Sequence, residues 1–295
     1  MLAVLVFEMR YIFIIYCLAV VLVVTLSSWG FHAHRVINRS AVYTLPTSLA
    51  HFYKLHIEFI SENSVNPDKR RYVSPNEAER HFIDIDTYGP NPFDSIPKRW
   101  EDAVAKFSED SLRKRGIVPW QIHLSYYQLV EAFKKRDIDR ILRISADIGH
   151  YIADAHSPLH TTQNYNGQLS DQEGIHGFWE SRLPELFSHQ YNYFVGRASY
   201  IEQPLSYAWK IVEDSSRLTD TLLYTEKILN ESTSPDQKFI YETRNDILIR
   251  TYSKGYSTKY HQALDGMVEK QMQKSVHAIG SFWYSAWIDA GQPAL

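Results

Sequence analysis

The chain has 295 residues, 44% hydrophobic, 22% charged and 14% aromatic, with a single cysteine. That balance excludes a disordered segment, a collagen-like repeat and a disulfide-stapled scaffold, and the length suits one large domain or two small ones. A formal net charge of −3 argues against coating nucleic acid by charge alone, whereas thirteen histidines point toward metal chemistry, imidazole being the commonest ligand.

The amino terminus reads as a targeting segment. Tyr11 to Leu26 is apolar and uncharged, Glu8 and Arg10 precede it, and the small pair Ser27-Ser28 follows. This is the pattern of a secretory signal peptide over residues 1–28. The apolar run is shorter than the roughly 20 residues a membrane span needs, so cleavage near Ser28-Trp29 is expected rather than anchoring. Met9 makes a more usual start than Met1 for such a segment. Cys17 lies inside it, behind Tyr16 and without the small residues that precede a lipidated cysteine. The mature chain, 29–295, is therefore expected to be exported, periplasmic or extracellular, and free of cysteine.

From Trp29 onward the pattern is all-α, in a single multi-helix domain. Helix-period stretches run from Ala33 to Leu45, Ser48 to Glu62, Trp100 to Leu112, Pro119 to Lys135, Ile138 to Ala155 and Gly177 to Glu185. Further ones are expected from Leu205 to Asn230, Ser234 to Tyr252 and Ser257 to Ala290. No alternating run is long enough to suggest a sheet. In the stretch from Ile138, one apolar stripe joins Ile138, Ile141, Ile144, Ser145, Ile148 and Ile152. Loops are marked by Pro, Gly and Asn clusters at Asn63 to Pro67, Tyr88 to Pro97 and Thr161 to Gly174.

The chemistry concentrates after position 149. His150 and Asp154 are four residues apart and share a helix face. Pro158 should end that helix and let His160 swing across. His176 and Glu180 repeat the four-residue spacing. Taken alone, His150 and Asp154 beside Arg143 and Asp147 could be a solvated face. Two such pairs flanking a third histidine form a ligand set that suits catalytic zinc.

Two further stretches carry a resemblance. One is Trp29-Gly30-Phe31-His32-Ala33-His34; the other is His81-Phe82-Ile83-Asp84-Ile85-Asp86, with Asp68 upstream in Pro67-Asp68-Lys69-Arg70. Together with the first set, they make the chain resemble the superfamily of zinc-dependent phospholipases C and P1/S1 nucleases, over nearly the whole mature length. The resemblance implies an all-α fold around three Zn2+ ions. It places Asp68, His81, His150 and Asp154 on one zinc, and His160, His176 and Glu180 on the second. The third would take Asp154 as a bridge, His34, and the free amine and carbonyl of Trp29. Glu62 and Glu77 are alternatives to Asp68. Asp84 and Asp86 are expected behind the ligands or as loop caps, and His32 outside the ligand set. His156 is expected at the cleft mouth or in solvent, and the remaining histidines in structural roles.

By the same resemblance the activity is phosphodiester hydrolysis by a zinc-bound hydroxide, with Asp68 as catalytic base. Substrate signals point two ways. Glu180 as last ligand and the short loop from His160 to His176 are phospholipase-like, and the absent cysteine pairs are unlike the nucleases. The Trp29 to His34 start is like that of the single-strand nucleases. The partner is accordingly phospholipid first, single-stranded nucleic acid second; a non-catalytic zinc-binding envelope protein is the reading from another class. Asn164, Tyr165 and Asn166, in the polar loop after His160, are candidates to touch substrate. Tyr88, Phe93, Trp120, Tyr126, Tyr127 and Phe178 are aromatic candidates for the cleft wall. A chain that keeps residues 1–28 is expected to bind less zinc and turn over more slowly than one starting at Trp29; equal metal content and rate would remove the amine from the site.

Overall fold

The computed structural model describes residues 30–244 and 246–295. The expected signal segment, Cys17 and Trp29 lie outside these described residues. The longer helices are α1 (Phe31–Ala41), α2 (Val118–Lys135), α3 (Ile138–Ala155), α4 (Pro204–Ser216), α5 (Thr219–Glu231), α6 (Lys254–Ala263) and α7 (Met267–Asp289). Among the described residues, no helix is long and apolar enough to cross a membrane.

Helix α3 organises the rest, and its limits follow from local chemistry. Helix α2 ends where Arg136 turns left-handed, at φ 51°. Asp137 then caps α3, its carboxylate accepting from the Arg140 backbone N–H at 3.1 Å. Ile141, Ile148 and Ile152 on the apolar stripe are fully buried, at about 1.5–3 kcal/mol each. Helices α1, α2, α4 and α7 pack around α3. Between the isoleucines, Ser145 is held by polar partners. The Trp283 indole N–H donates to its carbonyl at 3.1 Å, and its hydroxyl meets Tyr53 Oη at 2.7 Å. The Tyr53 and Trp283 rings stack with centroids 4.8 Å apart.

One glycine sets how closely α1 and α3 approach. A Cβ on Gly149 would sit 1.9 Å from Asn38 Oδ1, and Asn38 in turn donates to the His34 carbonyl at 3.0 Å. This crossing brings the His34 and His150 rings into a stack 4.0 Å apart.

Several expected helices are divided. The stretch from Trp100 breaks at Ser108 (φ 65°), and that from Ser257 at Asp265 and Gly266 (φ 48° and 72°). The stretch from Leu205 is split at Arg217-Leu218, and that from Ser48 at His56. The segment from Ser234 is corrected outright. Only Pro235–Lys238 is helical; β1 (Phe239–Arg244) and β2 (Ile247–Tyr252) then pair antiparallel, from Phe239 opposite Tyr252 to Arg244 opposite Ile247. Phe, Ile, Tyr and Thr favour the pleated surface, and Asp246 takes a left-handed turn at φ 63°. The hairpin is fastened to the body through Arg182, which donates to Glu242 at 2.6 Å and 3.0 Å.

Replacing Gly149 by Ala should gain about 1 kcal/mol in helix propensity yet destabilise the protein overall by about 1–3 kcal/mol, through the clash with Asn38. Urea unfolding reads the balance; unchanged or raised stability would mean that α1 yields freely.

Candidate metal centre

Six separate segments deliver the clustered side chains. Helix α1 supplies His34, and α3 supplies His150 and Asp154. The turns over Asn66–Arg70 and Ala78–Arg80 place Asp68 and His81, while a 3₁₀ turn, Pro158–Thr161, carries His160. His176 precedes a π-helical turn, Phe178–Arg182, that bears Glu180. Three groups arise, each with its donor atoms within 4.8 Å of one another: His34, His150 and Asp154; Asp68, His81 and His150; and His160, His176 and Glu180. Each described residue expected in the ligand set is in one of them.

Asp154 lies near histidines of all three groups. One of its oxygens lies 2.9 Å from His81 Nδ1 and 3.2 Å from His150 Nε2; the other lies 3.3 Å from His34 Nε2 and 4.0 Å from His160 Nε2. Asp68 Oδ1 lies 3.7 Å from both His81 Nδ1 and His150 Nε2. Glu180 reaches His176 at 2.7 Å and His160 at 3.3 Å. His150 thus stands between the first two groups rather than in one alone.

Backbone carbonyls fix the tautomers. His150 Nδ1 donates to the Ser64 carbonyl and His160 Nδ1 to the His81 carbonyl, each at 2.7 Å. Both rings therefore turn Nε2 toward the centre, the arrangement that orients metal-bound histidine. Meanwhile His150 Nε2 and His81 Nδ1 come within 3.1 Å, and the buried His34 Nδ1, His81 Nε2 and His176 Nδ1 have no hydrogen-bond partner among the described residues. Such a concentration of lone pairs fits a bound cation better than a self-contained hydrogen-bond network.

The alternatives to Asp68 lie elsewhere. Glu62 is on the surface with Arg35 at 3.0 Å. Glu77 is buried behind His81, 3.8 Å from its Nε2. It accepts from the Tyr151 hydroxyl, from Arg70 at 3.3 Å and from Arg80 at 3.0 Å. Burial works to raise its pKa, but those bonds win and hold it below the ordinary value. Arg70 also clamps Asp147 at 3.0 Å and 3.1 Å. This backing network was missed from the sequence; the one visible signal is that Asp147 lies three residues before His150.

Beside Asp154 and Glu180, a cavity of about 140 Å³ opens, lined by Gly30, His34, Asp68, Arg71, Tyr72 and His176 among others. Arg71 and Tyr72 also escaped the sequence reading. The Arg71 guanidinium lies 3.8 Å from Asp68 Oδ1 and is partly exposed.

The loop after His160 is more structured than its composition suggests. Asn164 donates to Ser170 and accepts from the Leu169 N–H; Asn166 accepts from the Gly174 N–H. Their amides thus hold the loop in shape, leaving Tyr165, half exposed and 6.0 Å from His176, as the member that faces the site. Asp86 caps the loop through Thr162 at 2.6 Å and the Gln163 N–H at 3.0 Å, and Asp84 is pushed up to about 7 by burial and by Asp86. His32 stays outside, bonded to Ser188 at 2.8 Å. His156 is corrected: it is buried, with Nδ1 donating to the Ile152 carbonyl at 2.7 Å, and burial pushes it down to about 4. Phe178 stacks on Tyr252 at 3.8 Å, Tyr126 bonds Asp289, and Trp120 bonds the Lys98 carbonyl. These rings, with Tyr88, Phe93 and Tyr127, do not line the cavity.

No protein-family model matches the chain, and no curated protein matches it. Among solved structures it is similar to alpha-toxin of Clostridium perfringens, isolated from an avian strain, with a TM-score of 0.54 at 15% identity. The similarity covers 90% of this chain and 65% of the toxin chain. The two share a fold. The all-α reading is thereby supported, with the small hairpin as its one β element among the described residues.

The electrostatics give a pH signature. Burial opposes charge on His150 and His160, yet Asp154 and Asp68 hold the first at about 9, and Glu180 and Asp154 the second. His81 goes down, burial outweighing Asp154. Burial would raise Asp154 and Glu180, but neighbouring imidazoles keep both well below the carboxylate range. In metal-free protein the raised imidazoles add stability that is complete below about 6.5 and lost as pH rises through about 9. The depressed carboxylates add stability present above about 4 and lost as pH falls further. The lowered His81 and His156 act the other way, taking stability away as pH falls below about 6.5, so chelator-treated protein is expected to melt highest near pH 6.5 and progressively lower toward pH 9, with added zinc restoring the alkaline side. A melting temperature flat from pH 6 to 9 without metal would contradict this balance.

Proposed function

We propose that the chain is an exported zinc-dependent phosphodiesterase, with phospholipid as the preferred substrate class. The observation that carries this reading is the buried Asp154 carboxylate, flanked by imidazoles on both oxygens at the floor of a cavity that also holds Asp68 and Arg71. A purely structural site rarely needs a carboxylate shared in this way, which counts against a non-catalytic zinc-binding protein.

The residues that would hold zinc are His34, Asp68, His81, His150, Asp154, His160, His176 and Glu180, in a set of up to three ions with Trp29 as the ninth contributor. Gly30 lines the same cavity, in keeping with a terminal amine at Trp29 after cleavage. The chemistry zinc supplies when bound is neutralisation of phosphate oxygens and activation of water.

The chain's own residues supply the rest. Asp68 is the least buried of the clustered carboxylates, with its Oδ1 beside His81 and His150, and it is placed to take the proton of an attacking water. Arg71, beside Asp68, presents a fixed positive charge to a phosphodiester entering the cavity. His150 and His160 keep their Nδ1 protons on carbonyls, so neither donates that proton to substrate. Glu77 and Arg70 hold His81 from behind.

The second reading, a single-strand nuclease, is favoured by the half-exposed tyrosines Tyr72 and Tyr165, whose rings could stack on bases at about 1–3 kcal/mol each. Zinc-loaded protein starting at Trp29 should hydrolyse mixed phospholipid micelles faster than single-stranded DNA, and lose both activities with chelator. The reverse preference would establish the nuclease. Asp68→Asn should lower turnover by about 100-fold or more with most of the zinc retained, and Arg71→Ala should raise KM more than it lowers kcat. An unchanged rate for Asp68→Asn would remove it as the base.

A further inference from the structure

The buried His156 serves no purpose in the site above, although it begins one residue past the end of α3. Its ring forms part of the floor of a separate cavity of about 430 Å³ between α4 and α7, a volume typical of small-molecule sites. The floor is polar and buried. Gln271 is 3% exposed, and its amide N–H donates to the His156 carbonyl at 2.6 Å and to Ser215 Oγ at 3.3 Å. With His156 Nδ1 committed to Ile152, the polar atoms left on these side chains are His156 Nε2 and Gln271 Oε1, and neither makes a hydrogen bond among the described residues. Both call for a ligand that donates hydrogen bonds.

Above the floor the walls are apolar, from Tyr207, Ile211 and Val195, with Phe194 almost wholly exposed at the lip. The rim is cationic. Lys274 has no carboxylate within ion-pair distance among the described residues, and Lys210 holds Asp214 at 3.1 Å. That surface pair is half exposed and weak, so Lys210 can turn to a stronger anion.

We propose that this cavity is a second ligand site for a small phosphomonoester that carries an amine or hydroxyl, its donor end on His156 Nε2 and Gln271 Oε1 and its phosphate between Lys274 and Lys210. The identification of the ligand class rests on the phosphodiesterase reading, because a phosphomonoester is what such hydrolysis releases; the site's geometry does not. His156 and Gln271 also line a void of about 30 Å³ that reaches His34 and Glu180, so the bound product would lie one layer of side chains from the metal-facing residues.

The test is calorimetric titration of the zinc-loaded chain starting at Trp29, with phosphoethanolamine and, separately, a nucleoside 5′-monophosphate. Two equivalents of one probe are expected. Lys274→Glu and the cavity-filling Ile211→Trp should each weaken one equivalent by about tenfold or more, and Arg71→Ala should weaken the other. Lys274 is exposed, so its variant folds even if the tryptophan variant does not. A single equivalent lost only with Arg71→Ala, or two equivalents indifferent to Lys274→Glu, would overturn the proposal. Binding is read without turnover: if hydrolysis is absent while the Lys274-sensitive equivalent persists, the function reading fails and the site stands. Tighter binding of the nucleotide supports the site and assigns its ligand to nucleic-acid turnover.

Discussion

A carboxylate taken out of water must be neutralised or hydrogen-bonded, and Asp154 meets this demand by standing among four imidazoles. Those rings come from α1, α3, the turn at His81 and the turn at His160, so satisfying one buried charge fixes four parts of the chain. Each ring is in turn held from outside. Ser64 and the His81 backbone take the protons of His150 and His160, while Glu77 stands behind His81. The centre is therefore an extension of the packing, and the two faces of α3 divide the labour. Isoleucines on one side anchor the helix against α2, α4 and α7, and the other side presents His150 and Asp154 to the segments that bring the remaining donors.

Close approach of backbones makes this possible. Gly149 lets Asn38 lie against α3, and the amide of Asn38 holds the carbonyl of His34. A side chain at 149 would push α1 outward and with it the ring stacked on His150. The cost of glycine within a helix, about 1 kcal/mol relative to alanine, is offset by what the crossing allows.

What could be read in advance follows how local each cause is. The limits of α3 were legible because its apolar period and the helix-ending Pro158 lie within a few residues of them. The pairs His150 with Asp154 and His176 with Glu180 were legible because helical spacing alone puts them on one face, even though a π-helical turn carries the second. Arg71 was not, and Glu77 was read only as an alternative to Asp68; their roles arise from how the 66–81 segment folds over α3. His156 misled for a related reason. Its position just beyond the helix end suggested a rim, but α7 brings Gln271 against its carbonyl and leaves the residue buried. The hairpin was hidden by length: Phe, Ile, Tyr and Thr do favour strands, but two six-residue runs after Pro235 are too short to show a decisive alternation.

The cysteine content bears on how such a fold holds together. The single cysteine lies ahead of the described residues, so no disulfide can cross-link them. The metal-facing side chains span positions 34 to 180, joining the amino-terminal helix to the π-helical turn. Cross-links of that span act mainly by restricting the unfolded chain, and a metal that binds only the folded arrangement adds its binding free energy to folding. Without a cation the same site gathers lone pairs from five imidazoles and three carboxylates, partly offset by protons on His150 and His160. A metal bound there would couple its loading to folding, because it would displace the protons that His150 and His160 otherwise hold toward Asp154 and Glu180.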